Sequence, residues 1–197
     1  MASPKILVFA SSTRAGSYNA KLAALAAKEL TLIDADVTRI SLVDYELPIY
    51  DPDLDARVGQ PANALRLKQM ISAHHGVFIA SAEYTASVTP ALKNAIDWVA
   101  RVRERGEPAF AAFRGRPFAI SAASLEAGGG LHSLSALRQI LELGCGALVI
   151  PEQLTIGRAG EAFDEMDNLK DQNLAATLKA LARRLVEMAG LMPRGPE

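Results

Sequence analysis

Ser12, Arg14, Ser17 and Asn19 crowd into one short polar stretch, Ser11-Ser12-Thr13-Arg14-Ala15-Gly16-Ser17-Tyr18-Asn19. Hydroxyl and amide groups donate hydrogen bonds, and a guanidinium can grip two oxygens of one oxyanion. The stretch leaves an apolar run, Ile6-Leu7-Val8-Phe9-Ala10, and enters an Ala/Leu-rich segment, Ala20–Leu30. That pattern predicts strand, loop and helix. A helix start points unpaired N–H groups and the positive end of its dipole outward, so the chemistry expected here is phosphate binding. The plainer reading is a polar turn in which Ser17 or Asn19 caps the helix. Arg14, and the position directly after the first strand, favour the anion.

The type of phosphate is narrowed by what the loop lacks. No G-x-G-x-x-G follows the first strand, and the chain contains no Walker lysine motif. A loop that offers side chains suits a terminal phosphate monoester, such as that of FMN, better than a bridging pyrophosphate that needs bare glycine backbone. A phosphoacceptor domain would need acidic residues where Ala10-Ser11-Ser12 stand, and an Asp ending the third strand.

Alternating elements must position this loop. The expected strands are Lys5–Ala10, Asp36–Ser41, Gly76–Ala82, Pro117–Ala123 and Ala147–Leu154, and the expected helices are Asn19–Thr31, Ala62–Ala73, Pro90–Val102, Ser133–Leu143 and Asn168–Ala189. Ile6–Ala10, Val77–Ala80 and Leu148–Ile150 are apolar throughout, as in strands buried on both faces of a parallel sheet. The fold expected is a doubly wound α/β domain spanning residues 1–192, with 193–197 a frayed tail. In such sheets ligands bind beyond the carboxyl ends of the strands, where the strand order reverses. The loops Ser11–Tyr18, Glu83–Thr89 and Ser124–Gly130 should converge there.

The second constellation is Ser81-Ala82-Glu83-Tyr84-Thr85-Ala86-Ser87-Val88-Thr89-Pro90-Ala91-Leu92-Lys93-Asn94-Ala95-Ile96-Asp97-Trp98. It resembles the P-E-Y-N-x-S-x-x-x-x-L-K-N-A-I-D-W signature of the NADPH-dependent FMN reductases, a flavodoxin-like family that includes quinone, chromate and azo reductases. The first loop resembles that family's G-S-x-R-x-x-S-x-N, and Leu47-Pro48-Ile49-Tyr50-Asp51 its "LPLYD" stretch. Two positions depart from the pattern: Ser11 stands in place of glycine and Thr85 in place of asparagine.

The resemblance implies a flavodoxin-like three-layer α/β/α sandwich with a five-stranded parallel sheet of order 2-1-3-4-5. It implies that Ser12, Arg14, Ser17, Tyr18 and Asn19 surround the FMN phosphate. Glu83, Tyr84 and Thr85 would line the isoalloxazine, largely through backbone groups, with Ser124 and Gly128 at the ring's other edge. The implied activity is FMN-dependent NAD(P)H oxidation with reduction of a small acceptor (a quinone, free FMN, an azo compound or a metal oxyanion) by ping-pong hydride transfer through flavin N5. A homodimer or dimer of dimers is implied, with the helix carrying Leu92, Ile96 and Trp98 as interface candidate. The rival reading is a non-enzymatic FMN carrier or flavin sensor.

Other residues add little chemistry. His74 and His75 precede the third strand, at the far edge of the sheet. His132 follows the glycine run and could approach a nicotinamide. Cys145, between two glycines, reads as a small packed residue. No spacing suggests a metal, no Ser/His/acid arrangement is legible, and no side chain is singled out as catalytic, which suits a reaction whose electronics belong to the cofactor. The 197 residues carry a net charge of −1, which gives no attraction to nucleic acid or anionic membrane. No apolar run approaches the ~20 residues of a membrane span. With one cysteine and no signal pattern at the N-terminus, the expected location is the cytoplasm.

Overall fold

The computed structural model describes residues 3–192; the tail expected at 193–197 lies outside them. In chain order the elements are β1 (Lys5–Ala10), α1 (Tyr18–Thr31), β2 (Asp36–Ser41), a 3-10 turn (Leu42–Asp44), α2 (Pro52–Val58), α3 (Ala62–Ser72), β3 (Gly76–Ala80), β4 (Glu83–Tyr84), β5 (Ser87–Val88) and α4 (Pro90–Arg101). Then follow β6 (Pro117–Ala123), α5 (Leu131–Gln139), a π turn (Ile140–Gly144), β7 (Leu148–Ile156), α6 (Ala159–Ala162) and α7 (Gln172–Leu191). The main sheet has the order β2-β1-β3-β6-β7, all parallel. This is the flavodoxin-like order 2-1-3-4-5.

Period-two alternation sends neighbouring residues of each strand to opposite faces. Leu7 and Phe9 of β1 join Ile120 of β6 and residues of α3, α4 and α5 in one core layer. Ile6 and Val8 join Phe78 of β3 and residues of α1 and α7 in the other. Both faces of the sheet are therefore covered, which is why its central strands carry no polar alternation.

Several boundaries differ from the sequence expectation. The third strand ends at Ala80, not Ala82, because the chain turns out of the sheet into the β4–β5 hairpin. The fourth expected helix starts at Leu131 and ends in a π turn, and the last helix starts only at Gln172, where Asp171 accepts hydrogen bonds from the N–H groups of Asn173 and Leu174. The short helices α2 and α6 lack the length for a legible period. The expected cap of α4 is present: Thr89 Oγ1 accepts from Leu92 N, and Pro90 opens the helix.

The segment that resembles "LPLYD" is held to α4 by two of the signature's own residues. Asn94 Nδ2 donates to Pro48 O at 2.9 Å while its Oδ1 accepts from Tyr50 N at 2.8 Å. Trp98 Nε1 donates to the same Pro48 carbonyl at 2.7 Å, with its ring edge-on to Tyr50. Leu92, Ile96 and Trp98 are buried inside their own chain.

Candidate functional site

At the carboxyl ends of β1, β3 and β6 the three expected loops converge, tied by their own side chains. Ser11 N donates to Ala80 O, Ser11 Oγ accepts from Ala82 N at 2.8 Å, and Ser11 O accepts from Thr89 Oγ1 at 3.1 Å. Ser11 is fully buried. Its hydroxyl joins the first loop to the second, a role the position's departure from glycine did not reveal.

Asn19 performs the same task between the first and third loops. Its Nδ2 donates to Ala123 O at 2.8 Å and its Oδ1 accepts from Ala123 N at 2.9 Å, closing a two-bond ring between α1 and the end of β6. Burial leaves Ala123 no water to replace either bond. Ser17, also buried, caps α1 by accepting from Asn19 N at 3.2 Å. The capping reading of the stretch holds: Ser17 is the cap, and a 14-residue helix opens beside the loop.

Ser12 Oγ accepts from Arg14 N at 3.3 Å. The Arg14 side chain is exposed and has no hydrogen bond or ion pair among the described residues. Tyr18 is half-buried and stacks on Phe163, with ring centroids 6.0 Å apart.

The second loop is a hairpin. Glu83 pairs with Val88 and Tyr84 with Ser87, leaving Thr85 and Ala86 as a two-residue turn with φ of +47° and +58°. Both central residues of a type I′ turn need positive φ, which explains a preference for asparagine at the first of them. Threonine, β-branched, is strained there. The hairpin presents an exposed Tyr84 ring.

Glu83 holds this hairpin against α5. Its Oε2 accepts from Ser133 N at 3.0 Å, and its Oε1 lies 3.3 Å from His132 Nδ1. Ser133 Oγ donates to Ala82 O at 3.1 Å and lies 2.7 Å from Ser81 Oγ. Since the Ser133 proton points to Ala82, Ser81 donates to Ser133. Ser81 and Ser133 are fully buried. The only sequence signal for them was polar residues flanking apolar runs.

In the third loop, Ser124 N donates to Ile156 O at 2.9 Å, and Ser124 Oγ accepts from Glu126 N at 3.2 Å. Gly128 faces open space. Gly130 has φ of +87°, and a Cβ there would lie 2.6 Å from Ala122 Cβ. Close approach explains the second and third glycines of the run, Gly129 and Gly130.

The remaining titratable groups lie elsewhere. His74 is buried, and burial pulls its imidazole below the ordinary value despite its contact with Met70 O. His75 Nδ1 accepts from Lys5 N at 2.8 Å at the far edge of the sheet. Burial pushes the Cys145 thiol up to about 11, so it stays protonated and packs as an apolar group. No group of three or more His, Cys, Asp or Glu suited to a metal occurs among the described residues.

Residues 4–161 match the family model described as NADPH-dependent FMN reductase. An NAD(P)H-dependent FMN reductase of Pseudomonas aeruginosa is 34% identical over 169 residues, 85% of each chain. A quinone reductase of Escherichia coli (strain K12) is 31% identical over 137 residues, 70% of this chain and 69% of its own. Among solved structures, the flavoenzyme NAD(P)H:(acceptor) oxidoreductase FerB from Paracoccus denitrificans superposes with a TM-score of 0.75 at 26% identity, covering 95% of this chain and 97% of that one. A Streptococcus pneumonia flavodoxin, at 12% identity and a TM-score of 0.55, shares the fold.

Proposed function

The chain belongs to the NADPH-dependent FMN reductase family and is an oxidoreductase of the NAD(P)H-dependent FMN reductase and quinone reductase type; we propose that it uses bound FMN to reduce small acceptors, quinones foremost, with NAD(P)H. One observation carries this reading: the exposed Arg14 guanidinium, without a partner among the described residues, stands beside the capped start of α1, at the point of the sheet where β1 gives way to β3. That is where this strand order places a mononucleotide.

The donor set fits FMN. Arg14, the Ser12 and Ser17 hydroxyls and the first-turn N–H groups of α1 would hold its phosphate. Asn19, whose amide is bonded to Ala123, would act by fixing α1 to β6, with Tyr18 and Phe163 packing alongside. Glu83, Tyr84 and Thr85 on the hairpin, with Ser124 and Gly128 on the third loop, would flank the ring system. When bound, FMN supplies the two-electron chemistry through N5. The protein's own part is rigid placement. Ser11, Ser81 and Ser133 brace the loops, Glu83 locks the hairpin to α5, and the exposed Tyr84 offers an apolar face to a planar acceptor.

Reductant and acceptor would share this one opening, so parallel initial-rate lines, as in ping-pong kinetics, are expected. A yellow protein bleached by NAD(P)H without oxygen supports the proposal, and a yellow protein that ignores NAD(P)H would make it a carrier or sensor instead. Arg14→Ala removes a charge-assisted clamp worth ~1.5–3 kcal/mol, or about ten- to a hundredfold in FMN affinity. Unchanged affinity would remove Arg14 from the site.

We further propose a homodimer or dimer of dimers, on the resemblance alone. Light scattering that shows a pure monomer would end that. A cytoplasmic setting is proposed from the single, unreactive Cys145; among the described residues no helix is long and apolar enough to cross a membrane.

A further inference from the structure

The carboxyl end of β1 has a second neighbour. On its other side Ala10 pairs with Ser41, the last residue of β2, and beyond that pair lies a cavity of about 540 Å³. Arg39 of β2 and Arg66 of α3 flank it, and Ser12, Ser41, Asp44 and Tyr45 complete its polar lining. It adjoins the phosphate loop through Ser12 without including Arg14, Ser17 or the β4–β5 hairpin.

The two arginines are not equivalent. Arg66 donates to Asn63 Oδ1 at 3.0 Å and lies over the Tyr45 ring, 5.3 Å from its centroid. It is held in place with donors to spare. Arg39 has no hydrogen bond or ion pair among the described residues. Ser41 Oγ accepts from Val43 N, which leaves its own proton free. Asp44 forms no ion pair with either arginine among the described residues. Buried Tyr45 and the adjoining Ile40 provide an apolar wall.

This lining selects a ligand class. Two guanidiniums against one carboxylate leave a surplus of positive charge that suits a phosphomonoester dianion. A carboxylate beside them accepts hydrogen bonds from ribose hydroxyls, and an apolar wall takes a flat base. A neutral quinone would leave the Arg39 charge and the spare Arg66 donors unmatched, and a metal cation would be repelled.

We propose that the cavity between Arg39 and Arg66 binds the ribose phosphomonoester of an adenylate. Two sources share this chemistry: the adenosine 2′-phosphate of NADPH and a free mononucleotide. Only the first rests on the reductase reading. It would make Arg39 and Arg66 determinants of NADPH over NADH.

Calorimetric titration of the FMN-loaded protein tests this directly. 2′,5′-ADP should bind saturably, and Arg39→Ala and Arg66→Ala should each weaken it roughly tenfold or more, with Arg39→Lys losing less. FMN affinity, followed separately by flavin fluorescence, should be unchanged in these variants. If NADPH is the source, KM for NADPH rises in Arg39→Ala while KM for NADH does not. If 5′-AMP binds as tightly as 2′,5′-ADP and both KM values stay put, the source is a free mononucleotide and the ligand class stands. No saturable binding of either nucleotide, or the same affinity in Arg39→Ala, overturns the proposal. An equal loss of FMN affinity overturns it too, since the cavity would then belong to the FMN site. A failure of FMN to bind the wild-type protein would overturn the reductase reading alone.

Discussion

The two sides of the β1 carboxyl end are built differently. Toward β3, the buried polar side chains of Ser11, Asn19, Ser81 and Ser133 are bonded to neighbouring loops. Toward β2, Arg39 has no partner among the described residues and Arg66 keeps donors in reserve. On the proposed reading, a loop braced by its own side chains would hold its ligand with backbone N–H groups and the few donors left over, of which Arg14 is the strongest. A corner lined by two arginines with donors to spare would hold one with side-chain charge. Substitutions on the first side should therefore cost stability, and substitutions of the free arginines should cost only binding.

The largest stability effect expected is that of Asn19→Ala. It leaves both polar groups of the buried Ala123 peptide unpaired, at a cost of about 2–4 kcal/mol, to be read from urea unfolding midpoints. An Asn19→Ala protein of wild-type stability would break the comparison, since the brace would then be idle.

Lys68 is a useful contrast, a cation fully committed to structure. Its buried side chain donates to Glu107 at 2.7 Å and to Glu104 at 3.1 Å, joining α3 to the segment after α4. Burial pulls its pKa down, but the hydrogen bonds to the two carboxylates outweigh this and leave it raised. Glu107 is lowered, first by the hydrogen bond from Lys68. Lys68→Met should cost ~1.5–3 kcal/mol near neutral pH. Because the Glu107 pKa is depressed on folding, its contribution is complete above the ordinary carboxylate pKa and is lost as pH falls through the folded value. The variant's deficit should therefore shrink in acid. A deficit that stays constant with pH would mean that packing, not charge, carries the effect.

Ser133→Ala should cost ~1–2 kcal/mol by leaving the Ala82 carbonyl and Ser81 hydroxyl without their partner. Ala86→Gly relieves a positive φ and should add about 1 kcal/mol. If FMN affinity fell in Ala86→Gly despite that gain, the strained turn would be serving the ligand. The smallest effect is that of Arg14→Ala on stability, within about 0.5 kcal/mol, alongside its large expected loss in FMN affinity.

Much of this was legible in the chain. The parallel sheet and the convergence of three loops follow from apolar runs, a capping serine and a proline at the start of α4, whereas the strand order was implied by the family resemblance. Ser17 and Thr89 could be read as caps because capping is local: donor and acceptor lie within three residues. The bracing role of Ser11 and Asn19 could not be read, because their partners, Ala82 and Ala123, lie 71 and 104 positions away. The Arg39–Arg66 pair was invisible for the same reason, one residue standing on a strand and the other on a helix beyond an irregular stretch.

Local sequence determined the elements and their order, since periodicity, caps and turns act over a few residues. It also determined which loops must meet, because an alternating chain has few ways to wind right-handed crossovers around one sheet. Only the tertiary structure decided which of the gathered polar groups are bonded to each other and which remain free for a ligand. Hydrogen-bond satisfaction in a buried layer is a property of distant partners, and a donor's availability cannot be known until its neighbours across the fold are in place.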